Sequence, residues 1–146
     1  MSTIETLKED WKVDVKINQM RLNDEIVKVP VIHAKYLDYF VLFRAKRSGV
    51  VRKLNTLKNI KRRYYRGELD QTELKEYGWN QWQGLKPSAA ELKDLFEQDP
   101  DVIDLEEKLE YFNTALITVE YIMKSINSRG YELKTLYELR RFEAGG

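Results

Sequence analysis

Eight apolar residues toward the C-terminal end, Val102, Leu105, Leu109, Phe112, Leu116, Val119, Met123 and Ile126, follow one another in alternating steps of three and four. Such steps return side chains to one face of an α-helix, whereas a strand would scatter them over both faces. Sustained over more than three heptads, they form a coiled-coil-type seam that another helix must cover. Ile103, Ile117 and Ile122 widen the stripe beyond a two-stranded seam. Asn127-Ser128-Arg129-Gly130 then reads as a helix stop with Gly130 left-handed. A last amphipathic helix follows through Leu133, Leu136, Leu139 and Phe142. Three prolines and seven glycines in 146 residues are too few to punctuate a β-sandwich. The expected fold class is all-α.

The rest of the chain fits that class. Ser2 or Thr3 can cap a short helix whose apolar residues are Ile4, Leu7 and Trp11. Residues 13–17 alternate apolar and polar and allow an isolated extended piece, although a lone strand has no partner. Residues 19–28 form a weak helical pattern through Met20, Leu22 and Ile26, and Pro30 suits the first turn of a longer helix. In that helix Tyr36, Phe43, Val50, Leu57 and Tyr64 recur every seven residues. Ser48-Gly49 is its weak point, where a kink or a division into two helices is expected. Gly67 ends it. A short helix is expected within residues 68–77, and the glycine-bounded segment 78–84 is a loop. Its Trp79 and Trp82 can stack bases, although such tryptophans more often anchor a loop to the body. Ser88, with Glu91 three residues on, begins another helix that Asp99-Pro100 stops.

Charge is distributed unevenly. Residues 44–66 hold ten cations and no acid, while the remainder carries 15 bases and 24 acids. Residues 67–146 alone have 9 bases against 17 acids. The cationic sector of Arg44, Lys58, Arg62 and Arg66 lies roughly 130° around the helix from the apolar stripe. One face can therefore pack while the other presents charge. A charge run on a helix is commonly just a solvated or acid-paired face. Three features favour a polyanion instead. The segment has no interleaved acid to relieve self-repulsion, it is rich in arginine, whose fork fits phosphate, and Tyr64-Tyr65 set π-faces among the cations. Tyr64 falls in the apolar phase, and Tyr65 turns toward the cations as the better stacking candidate. No recognition-helix or zinc-finger pattern accompanies them, so duplex sequence reading is not expected.

Catalytic chemistry is missing from the pattern. The chain has no cysteine and one histidine, His33, which suits a packing or surface role. Neither clustered His and Cys nor a Glu-x-x-His pair is present to hold a metal. Glu106 and Glu110 are helix neighbours of the solvated kind, and no phosphate-binding glycine loop occurs. No enzyme, metal or cofactor is expected. The absence of cysteine fits a reducing cytoplasm. The chain shows no apolar run of about 18 residues for a membrane span, and its start lacks the apolar core of a signal peptide.

The tail Ser128-Arg129-Gly130, followed by a helix ending Arg140-Arg141-Phe142-Glu143-Ala144-Gly145, resembles the UvsY recombination mediator family of T-even-type phages. The family's Arg-x-Phe-Glu-Ala-Gly ending is matched at Arg140 and at residues 142–145. Glu91, Lys93, Asp101-Val102, Leu109 and Tyr111 keep step with it upstream, and Tyr64-Tyr65-x-Gly67 matches a family motif behind a basic helix. The match is good over residues 90–146 and loose over 30–67. The family carries a Lys-x-Arg pair before Tyr-Tyr, where this chain has Asn59 and Lys61, or Lys58 and Ile60 after a one-residue shift.

The resemblance implies a non-enzymatic protein of the infected host's cytoplasm that binds single-stranded DNA. It would load a RecA-like recombinase in competition with single-strand-binding protein. It also implies a ring-like homo-oligomer, hexameric or heptameric, held through the C-terminal helices. Residues 1–85 are then a basic DNA-binding region, with candidates Arg44, Arg47, Arg52, Lys53, Lys58, Lys61, Arg62, Arg63, Tyr65 and Arg66. Residues 86–146 are an acidic oligomerisation region, with candidates Leu105, Leu109, Phe112, Leu116, Val119, Met123, Ile126, Leu133, Leu136 and Phe142. The competing class is a coiled-coil adaptor whose basic face binds an acidic protein.

Overall fold

The computed structural model describes residues 3–145, which form five α-helices and no strand. They are α1 (Ile4–Asp14), α2 (Leu22–Tyr65), α3 (Gln71–Tyr77), α4 (Ala89–Gln98) and α5 (Pro100–Glu143). The all-α expectation holds, and most helix ends lie where local chemistry puts them. Thr3 caps α1 by accepting from the Thr6 amide at 3.1 Å, while Ser2 lies outside the described residues. Asp70 and Glu73 form a capping box on α3, and Ser88 caps α4. Gly67 closes α2 at φ +71°, with Glu68 N–H donating back to Arg63 and Gly67 N–H to Tyr64.

Four expected features are absent. Residues 13–17 hold no extended piece: α1 continues through Asp14, and residues without a partner strand have no ladder to join. Pro30 lies inside α2, not at its start. It sits on an exposed part of the helix, where water can reach the carbonyl that its missing N–H leaves unpaired. Neither Ser48-Gly49 nor Ser128-Arg129-Gly130 ends a helix, and Gly130 does not have positive φ.

Long-range packing explains the Ser-Arg-Gly segment. Arg129 is buried and donates to the Asp14 carbonyl at 2.7 Å and the Val15 carbonyl at 2.9 Å. These are orphan acceptors at the C-terminal end of α1, where a cation is favoured. The guanidinium also lies 5.3 Å from the Trp11 ring. At Gly130 a Cβ would stand 3.6 Å from Val29 Cγ1, an ordinary van der Waals contact, so α5 runs beside α2 here with room for a methyl group. The sequence pattern that suggests a stop is instead a contact point.

Contacts divide the chain into two compact units. One comprises the chain up to Lys46 and from Phe112 onward; the other is residues 47–111. In the first unit Leu7, Tyr36, Phe43, Ala115, Val119, Ile122 and Ile126 form the core. Tyr36 donates to Asp14 at 2.9 Å, and Lys35 pairs with the same carboxylate at 2.7 Å. In the second unit Val50, Leu54, Tyr65, Leu69, Leu74, Leu92 and Val102 are buried.

Gly130→Ala separates the two conformations available to this glycine. In an unbroken helix with room for a methyl group, alanine raises the stability measured by urea unfolding by up to about 1 kcal/mol. A left-handed Gly130 would make the same change destabilising.

Candidate nucleic-acid interface

The cationic segment lies on α2, most of it in the second unit, and the helix presents its cations in different ways. Strict seven-residue spacing slips about 20° per heptad on a straight α-helix. Over the four heptads from Tyr36 to Tyr64 the slip is about 80°, close to one residue's turn. The inward position accordingly passes from Tyr64 to Tyr65, and from the apolar series to Lys61. Tyr65 is buried and Tyr64 half-buried. Tyr65 is therefore not the outward stacking residue expected from the sequence.

Lys61 and Tyr65 meet Asp99. The Lys61 ammonium is 3.1 Å from Asp99 Oδ2 and 3.0 Å from Asp101 Oδ2, and lies 4.0 Å from the Trp79 ring centre. Tyr65 donates its hydroxyl to Asp99 Oδ2 at 2.7 Å. The other oxygen, Oδ1, accepts the Asp101 and Val102 amides at 2.9 and 3.2 Å, so it caps α5 ahead of Pro100. Burial pushes the Asp99 carboxyl up, but the bonds from Tyr65, Lys61 and Val102 outweigh it and hold the group below the ordinary carboxylate range. Burial, with the Asp99 carboxylate beside it, pushes the Tyr65 phenol up. A buried lysine in an acid-free segment is thus neutralised by acids 38 and 40 residues away in sequence. Lys61 is engaged within its own unit and is not the outward cation expected of it.

The tryptophan loop closes over the same place. Trp79 stands 5.3 Å from Tyr64 and 4.7 Å from Tyr77, and Trp82 meets Tyr65 edge-on at 4.9 Å. Tyr64 donates to the Asn80 carbonyl at 2.6 Å. Gly84 lies under the Trp82 ring, where a Cβ would come within 2.5 Å of ring carbon, so only glycine fits. Both tryptophans anchor the loop.

The remaining candidates divide by partner. Arg63 makes a bidentate pair with Glu73 at 3.0 and 3.1 Å, and Lys58 lies 3.5 Å from Glu106. Arg62 donates to Asn59 at 2.8 Å, and Arg47 is half-buried. Arg44, in the first unit, and Arg52, Lys53 and Arg66, in the second, are exposed and carry no ion pair among the described residues. These four are the cations most accessible to a polyanion.

The oligomerisation candidates also separate. Val119, Ile126 and Leu133 are buried inside the first unit, with Phe112, Leu116 and Met123 packed beside its core. Leu105, Leu109 and Leu136 are half-buried, and Phe142 is 78% exposed. The core takes Ala115 and Ile122 along with Val119 and Ile126. About 180° around α5 from that face, Ile117, Tyr121, Tyr131 and Leu139 are exposed along with Phe142. The missed residue of most consequence is Asp99, whose position just before Pro100 is itself a capping signal. Among the described residues no group of three potential metal ligands occurs, and no helix is long and apolar enough to cross a membrane.

A family model described as recombination, repair and ssDNA binding protein UvsY matches residues 10–146. The recombination protein UvsY of Enterobacteria phage T4 is 24% identical over 144 residues, covering 97% of this chain and 98% of its own. Crystal structures of the bacteriophage T4 recombination mediator protein UvsY have the same fold. The lattice type II form has a TM-score of 0.84 at 23% identity, covering 99% of each chain. The lattice type IV form has a TM-score of 0.84 at 23% identity, covering 97% of this chain and 99% of its own.

Asp99→Asn leaves the buried Lys61 ammonium without its closest fully buried counter-charge and is expected to cost about 3 kcal/mol in urea unfolding. Because folding depresses the Asp99 carboxyl, its contribution is complete above the unfolded value of about 4 and is lost as pH falls through the folded value. The wild type therefore loses stability on acidification in a window where the asparagine variant, lacking that group, shows a smaller slope.

Proposed function

The chain belongs to the UvsY family of recombination, repair and single-stranded-DNA-binding proteins, and from that premise we propose that it acts as a non-enzymatic recombination mediator. It binds single-stranded DNA along α2, promotes loading of a RecA-like recombinase, and does so in competition with single-strand-binding protein in the host cytoplasm. The observation that carries the reading is the acid-free run of residues 44–66, with Arg52, Lys53 and Arg66 of the second unit exposed and without an ion pair among the described residues. Guanidinium and ammonium groups spaced along one helix suit the repeating phosphates of a strand.

Each subunit offers few such contacts, so useful affinity calls for several copies. The exposed apolar residues on the outer side of α5 supply a reason for the chain to associate with itself, and Tyr121 (69% exposed) and Phe142 (78%) are large for a solvated face. In a hexameric or heptameric ring, weak contacts add through high effective concentration. A strand held on such a surface is presented in extended form to the recombinase.

Two measurements bear on this reading. If each subunit neutralises about three phosphates, log K for an oligothymidylate falls with log salt at a slope of about −2 per subunit. Replacing Arg52, Lys53 and Arg66 together by alanine flattens that slope while leaving urea stability within about 0.5 kcal/mol of wild type. Salt-independent binding contradicts it, and unchanged affinity in the triple variant favours the acidic-protein adaptor. Separately, Ile117→Asp combined with Tyr121→Asp sediments as monomer with helix content retained, because a carboxylate in an apolar interface is costly. A wild type that is itself monomeric removes the ring.

A further inference from the structure

The cationic segment has an apolar feature that phosphate binding alone leaves unexplained. On α2 in the second unit, Gly49, Arg52, Lys53, Thr56, Leu57 and Ile60 line an open groove of about 430 Å³. All six residues belong to one helix, so the depression is shallow and open, a shape that suits one face of a flat base and not an enclosed small molecule. The spacing of i, i+3, i+4, i+7, i+8 and i+11 places all six on one side of the helix. Val50, Leu54, Lys61 and Tyr65, the buried residues of α2 within this unit, lie on another. Leu57 and Ile60 are half-buried, whereas Arg52, Lys53 and Thr56 are exposed.

Gly49 sharpens the point. Glycine in a helix interior weakens the helix, yet nothing inside the chain requires it here. Its φ is not positive, and a Cβ would meet no atom within 4 Å. A residue that is bare for no internal reason is suited to the close approach of something external. The rim is cationic and the surrounding segment contains no acid. A second copy of this same face would bring like charges together, so the complementary occupant is a polyanion that also carries flat apolar surfaces.

We infer that this groove is a nucleobase seat. Bases of a single strand lie on Gly49, Thr56, Leu57 and Ile60, while Arg52 and Lys53 hold the flanking phosphates. This rests on the single-strand reading above and adds to it that the protein contacts bases as well as backbone. The base contact is sequence-tolerant, because the groove floor offers apolar surface and one hydroxyl where readout of base edges would need a set of donors and acceptors.

The test compares a 20-nucleotide oligothymidylate with an abasic strand of the same length and charge, on the full-length protein at fixed salt. Wild type is expected to bind the thymidylate more tightly than the abasic strand by about fivefold, which burial of roughly 40 Å² of apolar surface at about 25 cal/mol per Å² supplies. Gly49→Leu fills the groove, lowers thymidylate affinity by a similar factor and abolishes the preference. Gly130→Ala, far from the groove in sequence and outside the cationic segment, leaves both affinities unchanged. Equal binding of the two strands by wild type overturns the inference even if the Gly49→Leu chain fails to fold. So does a folded Gly49→Leu variant that binds like wild type, including one whose only change is in sedimentation, which would make the groove a seat for another copy. A wild type that binds neither strand rejects the single-strand reading itself, a result distinct from both.

Discussion

A single buried carboxylate organises the second unit. Asp99 caps α5 with one oxygen and holds Lys61 and Tyr65 of α2 with the other. Four donors around one ion make its burial tolerable, and removal of the ion would leave a phenol and a helix terminus without their acceptor and the Lys61 ammonium with only the more exposed Asp101. Because Lys61 and Tyr65 come from one side of α2, the carboxylate also fixes which side of that helix faces in. Lys61 and Tyr65 are turned inward, and Arg52, Lys53 and Arg66 remain at the surface. The outward chemistry of the basic segment is thus a consequence of an inward electrostatic contact.

The same logic applies to charge balance. Ten cations without an acid repel one another. Part of that repulsion is relieved from elsewhere in the second unit, by Asp99 and Asp101 at Lys61, Glu73 at Arg63 and Glu106 at Lys58. The Lys61 pairs are nearly closed to solvent on the lysine side and structural. The Arg63 and Lys58 pairs are solvent-screened surface pairs, weak enough for phosphate to displace. The segment therefore presents three tiers of cation, namely fixed, exchangeable and free to meet an external polyanion.

Much of the fold was legible in the sequence because it is written in local chemistry. The Thr3 and Ser88 caps, the Gly67 terminus, the glycine-bounded tryptophan loop and the helical periodicity all depend on residues a few positions apart. What escaped depends on geometry accumulated over distance or on a remote partner. Tyr64 packs as expected, but Tyr65 is turned inward as well, because a small angular slip per heptad adds up over a 44-residue helix. Gly130 looked like a stop because the carbonyls that Arg129 reaches belong to α1, more than a hundred residues earlier. Pro30 looked like a beginning because its exposure, which makes it tolerable within a helix, is a tertiary property. Of the candidate interface, the charge was legible, but the sorting of its residues into buried and exposed was not.

We propose that α2 meets a single strand with its Arg52–Lys53 side, while Lys61 stays inside. Amine-reactive labelling read by mass spectrometry, with and without an oligothymidylate, addresses both lysines in one experiment. Lys53 should label readily in the free protein and be protected by the strand, while Lys61 should stay unlabelled in both states. A Lys61 that labels in the free protein and is protected by DNA, with Lys53 indifferent, would contradict the account.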